Sequence, residues 1–389
     1  PEKMGVELSE VLKNSVNHAL VIAESHIRTP ENAEDIISEN QADLVSIVRG
    51  QIADPHLANK AKNGNSEDIR PCLSCNQMCW GRRSRDYWIS CLVNPSVGRE
   101  FDWGGDRFNK VTKSKKVLVV GGGPAGLEAA RVAAERGHRV SLVEALGHLG
   151  GQFRVAGMQP RRGQIIELLD WYSNQLSKLK VEIKLNNMID SNYIKEFSAD
   201  TTIIATGSHP NYKVFQKSMP HFEKLPGIEL GNVFSAEDVM ARRVNLGQKI
   251  LILDEGGNWK GCGTAWKLAE DGYDVTLITP DPLIGKELQR TAADYPLRQT
   301  LAKLGVNFIL ESAITQWKKG EAEIIGFLDG KSLTIEAESL VYATTNVSKD
   351  LLSLDLQDSE MEIISIGDCV SPRSAPYVIY EGHNIGLKI

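Results

Sequence analysis

The sequence predicts an α/β chain: the end of a (β/α)8 barrel, a cysteine-bearing loop, and a Rossmann-like domain interrupted by a second nucleotide-binding-like domain. Three observations predict it. An apolar strand, a glycine turn and a helix succeed one another at 117–136, and a related pattern starts again at Lys249. Before them, residues 19–62 alternate strand and helix in the rhythm of a parallel fold. Between these regions, four of the six cysteines fall within twenty residues.

The bulk properties limit the choice of function. With 389 residues, the chain is long enough for two or three domains with their own cores. It is 42% hydrophobic and 24% charged with a net charge of −6, which leaves no footprint for a nucleic-acid partner. No run approaches the roughly 18 apolar residues of a membrane span. No positively charged start followed by an apolar stretch marks a secretory signal, so the expectation is a cytoplasmic protein without a membrane partner. The opening at Pro1 and the stop within a helix-like run at Gly386–Ile389 set the expectation that the natural protein is longer.

Ala19–Ala23 reads as a buried strand, and Thr29 caps a helix starting at Pro30, with Glu31, Glu34 and Asp35 near its positive end. Asp43–Arg49 reads as the next strand and Pro55–Lys62 as another helix. Two strands cannot close a (β/α)8 barrel; if residues 1–70 are a barrel's C-terminal end, its other strands lie upstream. Residues 71–112 carry the cysteines with Trp80, Trp88 and Trp103. A first dinucleotide-binding part is expected over 113–240, an inserted domain over 241–345, and a return to the first over 346–389. The first part has strands at 117–120, 139–144, 181–185 and 202–205, with helices at 124–136 and 163–179. The inserted one has strands at 249–254 and 274–279 around a helix near 264–271. The return strand is Glu362–Ile366.

Cys72, Cys75, Cys79 and Cys91 are spaced C-x2-C-x3-C-x11-C. In a chain with no export signal, such bunching points to metal ligation rather than a disulfide framework. Four thiolates suit an iron–sulfur cluster and also structural zinc. Three ligands in one tight loop favour the cluster, because zinc ribbons more often use two separated pairs. Cys262 and Cys369 stand alone and read as small core residues.

Gly121-Gly122-Gly123-Pro124-Ala125-Gly126 follows a strand and opens a helix, fitting G-x-G-x-x-G through Gly121, Gly123 and Gly126. The first makes the tight turn, the second lets backbone approach a pyrophosphate, and the third allows close packing of helix on strand. Phosphates would sit at the helix N-terminus, where free N–H groups and the dipole favour anions. Glu144 ends the next strand, 18 residues after Gly126, placed for ribose hydroxyls. A carboxylate there repels a 2′-phosphate, so the site suits FAD, NAD or ADP. The second unit, after KILILD, has glycines without that spacing, and its second strand ends in Thr279 with no acid for ribose. Both a unit that has lost its ligand and one that keeps NAD(P) fit this pattern.

With these motifs in hand, the chain resembles the trimethylamine dehydrogenase and 2,4-dienoyl-CoA reductase family over nearly its whole length. IVRGQIADP (47–55), RPCLSCNQMC (70–79), VNP (93–95), VLVVGGGPAGLEAA (117–130), LGGQ (149–152), ATG (205–207) and GDC (367–369) carry the likeness. The resemblance implies an FMN-binding barrel, a [4Fe–4S] cluster on the four cysteines, and an FAD (or ADP) site. It places Arg49 on the FMN phosphate, and Ala125, Glu144, Gln152 and Arg162 on FAD. Gly367 and Asp368 would meet the ribityl or phosphate end. The family usually has a glycine near Ser25-His26, where this sequence departs.

The cysteine loop looks closest to members that oxidatively demethylate N-methylated amines, of the dimethylglycine demethylase type. That likeness implies a small-molecule substrate, electrons passed from FMN through the cluster to FAD, an electron-transfer flavoprotein as redox partner, and allows a homodimer. One rival is an NAD(P)H-dependent 2,4-dienoyl-CoA (enoate) reductase running the relay in reverse. A rival of another class is a non-catalytic electron-relay module. No catalytic acid or base is named, since the substrate-facing residues are expected on other barrel strands.

Overall fold

The computed structural model describes residues 2–105 and 107–389; Pro1 and Asp106 lie outside them. The N-terminal portion holds α1 (Val6–Ser15), β1 (Ile22–Ala23), α2 (Pro30–Ser38), β2 (Leu44–Val45), α3 (Val48–Ala53) and α4 (Leu57–Lys62). Thr29 caps α2, its side chain accepting from the Asn32 N–H, with Pro30 in the first turn. Ile22 pairs with Leu44 and Ala23 with Val45, in parallel.

Two expectations change here. The strand expected over 19–23 shortens to two residues, and the run Asp43–Arg49 divides into β2 and the start of α3. A short apolar run satisfies both periods. Beyond Val45 the ladder has no partner, so the backbone closes its hydrogen bonds within a helix instead. Arg49 therefore sits in the first turn of α3 rather than at a strand end. A closed barrel is not formed by these elements.

Among its described residues, the cysteine segment contains only α5 (Trp80–Arg83) and α6 (Glu100–Trp103). Then come β3 (Lys116–Val120), α7 (Pro124–Glu135), β4 (Arg139–Val143), α8 (Gly151–Gly157), α9 (Gln164–Lys178), β5 (Glu182–Lys184), α10 (Ser191–Phe197), β6 (Thr201–Ile204) and β7 (Ser208–His209). A second run comprises β8 (Val233–Ser235), α11 (Ala236–Met240), β9 (Lys249–Asp254), α12 (Trp259–Glu270), β10 (Asp274–Ile278), α13 (Asp294–Lys303), β11 (Asn307–Ile309), β12 (Ser312–Lys318), β13 (Gly320–Gly326), β14 (Ser332–Ala337) and β15 (Ser339–Ala343). The chain ends with β16 (Val347–Ser348), α14 (Leu351–Leu354), β17 (Ile363–Ser365) and α15 (Ala375–Lys388).

Two parallel five-stranded sheets result, in the orders β17-β6-β3-β4-β5 and β11-β10-β9-β15-β8. An antiparallel β12-β13-β14 sheet flanks the second, and β7 with β16 forms a two-stranded antiparallel link. β17 returns beside β6, pairing Ile363 with Thr202, so the first sheet is finished by the end of the chain. The second sheet already takes its edge strand from Val233, ahead of the boundary expected at 241. A three-residue strand carries no periodicity by which to find it.

Central strands β3 and β6 are apolar and buried on both faces, as helix-covered parallel strands must be. α15 packs closely along α7 because two of its residues lack side chains. A Cβ on Gly382 would lie 2.2 Å from the Ala125 carbonyl oxygen, and one on Gly386 would lie 2.6 Å from Val132 Cβ. Among the described residues, no helix is long and apolar enough to cross a membrane.

Candidate cofactor sites

The glycine turn divides its labour as the motif requires. Gly121 has φ +108°, and a Cβ there would lie 2.3 Å from the Ala205 carbonyl oxygen. A Cβ on Gly126 would lie 2.0 Å from the Gly121 carbonyl oxygen. Gly123 differs: it is the N-cap of α7 without a side-chain cap, and a Cβ there would meet nothing within 4 Å. An uncapped helix start facing open space is a cradle for a pyrophosphate. Glu144 stands beside it, accepting from the N–H groups of Gly122 (2.7 Å) and Leu146 (2.8 Å). Ala125 is buried, wedged between Gly367 and Gly382.

A second polar group gathers at the carboxyl ends of the same sheet. The Gln152 amide donates to the Ser208 carbonyl (2.8 Å) and hydroxyl (2.9 Å), and accepts from Asn346 (2.8 Å). The Ser208 hydroxyl donates to Asp368 (3.0 Å), which also accepts from the Arg373 N–H (2.9 Å). Burial raises the Asp368 carboxyl above its usual range, against these bonds and Arg373. Gly367, at φ +72°, makes the turn that presents it. Ser208 and Asn346 were not anticipated. They fall on the β7–β16 link, whose pairing is long-range and has no local signal. Cradle, ribose acid and distal polar group together fit a dinucleotide with a second, flavin-bearing end.

Cys72, Cys75, Cys79 and Cys91 line one small cavity with Arg49, Asn76 and Met78. Ser74 (φ +52°) and Asn76 (φ +56°) bend the loop around it. Backbone N–H groups are aimed at the sulfurs: Ser74 at Cys72, Gln77 at Cys75, and Val93 and Asn94 at Cys91. Burial pushes the Cys75 thiol up to about 11 and Cys91 to about 12, with the neighbouring thiols adding to both. The sulfurs surround the cavity rather than one point; among the described residues, no three His, Cys, Asp or Glu side chains are placed to hold one metal ion. Four thiols around a cavity, with amide donors to sulfur, form a donor set that fits a multi-iron cluster. Cys262 and Cys369 lie apart, in separate apolar cores.

Two arginines find partners within the chain. Arg49 donates to Asn76 Oδ1 (2.7 Å), which turns it onto the cysteine loop. Arg162 stacks on Trp259 of α12 at 4.5 Å, between the two dinucleotide units, and is close enough to Cys75 to interact with it electrostatically. Its stretch, QPRRG, carried no periodicity to orient it. Ser25 and His26 stand at φ +81° and +63°. These larger residues thus adopt left-handed backbone where the resemblance led to the expectation of a glycine.

The second unit inverts the first. Asp254 ends β9, fully buried, and its Oδ1 accepts from the N–H groups of Gly256 (3.1 Å) and Gly257 (3.0 Å). The loop's own carboxylate thus takes the donors that a phosphate would need. Asn258 caps α12 by accepting from the Lys260 N–H (2.9 Å). A Cβ on Gly257 would lie 3.0 Å from an Asp281 carboxylate oxygen. Burial raises the Asp254 carboxyl to about 6 despite its amide donors.

A Rossmann-like sheet with a glycine cradle, interleaved with a second parallel sheet, defines a flavin-type oxidoreductase fold. Residues 115–371 match the Pyridine nucleotide-disulphide oxidoreductase family, and the chain belongs to it, in the branch of trimethylamine dehydrogenase and 2,4-dienoyl-CoA reductase. It is 33% identical to a cinnamate reductase of Clostridium sporogenes, over 100% of this chain and 56% of that protein. It is 28% identical to an N,N-dimethylglycine/sarcosine dehydrogenase of Chromohalobacter salexigens, over 99% of this chain and 60% of the relative. The solved 6-hydroxypseudooxynicotine amine oxidase of Pseudomonas geniculata superposes with a TM-score of 0.94 at 27% identity, covering 100% of this chain and 59% of that one. The chain thus spans little more than half the length of these relatives.

Proposed function

We propose that the chain is the electron-transfer half of an iron–sulfur flavoprotein that oxidatively N-demethylates a small methylated amine. When bound, FMN, a [4Fe–4S] cluster and FAD supply oxidation of the C–N bond to an iminium and relay of the electrons. Cys72, Cys75, Cys79 and Cys91 would hold the cluster, with amide N–H groups stabilising the thiolates. Gly121, Gly123 and Gly126 would admit the FAD pyrophosphate, Glu144 would bind its ribose, and Gln152 and Asp368 would hold the distal end. Arg49 would join the end of an FMN barrel, residues 1–70, to the cysteine loop.

The direction of electron flow rests on the second unit. Asp254 on the Gly256 and Gly257 N–H groups supports a protein that takes no reducing equivalents from a nicotinamide dinucleotide. Its redox partner is then an electron-transfer flavoprotein. The similarity to a cinnamate reductase keeps an NAD(P)H-dependent enoate reductase as the second reading. Mixing the full-length protein anaerobically with NADH or NADPH separates them. The proposal expects no fast loss of flavin absorbance, and rapid bleaching would overturn it. Metal analysis should return iron and labile sulfide; zinc without iron would remove the cluster.

A further inference from the structure

A buried ionic group joins the cysteine segment to the cradle helix. Glu128 lies in the second turn of α7, fully buried, and accepts from Arg131 Nη2 (2.8 Å) and Nε (3.0 Å), Tyr172 Oη (3.0 Å) and His383 Nδ1 (2.6 Å). Burial opposes its charge, yet Arg131 and His383 hold the carboxyl well below the usual range. His383 is equally buried, between Gly382 and Gly386, the two glycines that bring α15 against α7.

The other side of the imidazole meets the cysteine segment. Nε2 lies 3.3 Å from Ser96 Oγ, the Trp103 ring stacks on the imidazole at 4.9 Å, and Phe108 meets it edge-on at 5.4 Å. Ser96 in turn is five residues beyond Cys91, and its N–H donates to Asn94 Oδ1 (3.3 Å). Asn94 ties back to the Ile52 carbonyl (3.2 Å). A continuous set of contacts therefore runs from Cys91 through Ser96, His383 and Glu128 to the helix that starts at Gly123.

We infer that His383 is a positioning residue that clamps the segment carrying Cys91 onto the flavin-side helices and so fixes the distance between cluster and FAD. This rests on the cofactor assignment proposed above. Electron passage between two centres falls steeply with separation, so a fixed strut between them has a functional consequence that a core contact elsewhere lacks.

Two mild variants test it in the full-length holoenzyme. Ser96→Ala removes one side of the clamp, and His383→Asn can keep a donor to Glu128 while losing reach to Ser96. In both, amide exchange over residues 94–105 should quicken about fivefold, the effect of one lost hydrogen bond. Cluster-to-FAD electron passage should slow, with FAD content, iron content and both midpoint potentials unchanged. His383→Ala, if it folds, should exceed both. Wild-type exchange and wild-type electron passage in Ser96→Ala and His383→Asn would overturn the clamp. Absence of iron from the wild type would instead sink the cluster assignment, and the exchange data would still judge the clamp.

Discussion

Gly123 and Gly126 stand three residues apart and answer opposite demands. Gly123 has φ −75° and ψ 176°, extended backbone open to any residue, with open space where a Cβ would go. Gly123→Ala should therefore fold with apo stability within about 0.5 kcal/mol of wild type, yet lose FAD, because the methyl takes the pyrophosphate's place. Gly126→Ala puts its methyl into the Gly121 carbonyl and should lower the melting temperature of the apo-protein sharply. FAD-to-protein ratios with thermal melts distinguish the two, and an FAD-replete Gly123→Ala would remove the cradle assignment. The close approaches at Gly121 and Gly126 were legible in the sequence because spacing and backbone geometry are one constraint. Ser208 and Asn346 were not, since each gains its place only when β7 meets β16, 138 residues apart in sequence. Nor was the contact of Arg162 with the Trp259 ring, since it joins two units far apart in sequence.

At the scale of elements, legibility did not follow a strand's place in its sheet: edge strands β5 and β17 were expected, whereas central β15 and the antiparallel β12–β14 sheet were not. KILILD occupies β9 as expected, held between β10 and β15, whereas the β2 ladder ends at Val45 and releases the rest of its run to a helix. The loop after β9 gives a prediction in pH. Asp254 is raised from about 3.9 in an unfolded chain to about 6 when folded, so the folded state binds more protons between those values. Its contribution favours folding at low pH, weakens as pH rises through that window, and is fully unfavourable above about 6. Asp254→Asn keeps the acceptor for Gly256 and Gly257 and removes the charge. The variant should gain on the order of 1–3 kcal/mol over wild type at pH 8 and about a third of that at pH 4.5. Denaturant melts of both proteins across that range check it, and a gain independent of pH would contradict it.

Across the whole molecule, the two ends differ in how completely they bury themselves. Each five-stranded sheet lies within large apolar cores, whereas the N-terminal portion has one small core of Val6, Ala23, Ile27, Ile36 and Ala42. Around it Leu8 (76%), Leu20 (72%), Val48 (65%) and Ile22 (55%) remain exposed. A two-stranded sheet is marginal alone, and exposed apolar side chains around a small core are a reason to expect a covering partner. The covering proposed here is the remainder of an FMN barrel, in keeping with relatives whose lengths this chain only partly spans. The 389 residues by themselves should then bind an apolar dye such as ANS and be cut by protease first within residues 1–50, while 115–389 resists. In the full-length protein the dye signal should fall and the early cleavage should disappear. Equal dye binding and equal cleavage in both would mean that this face is not a barrel seam, and would remove the support for an FMN barrel completed by the rest of the protein.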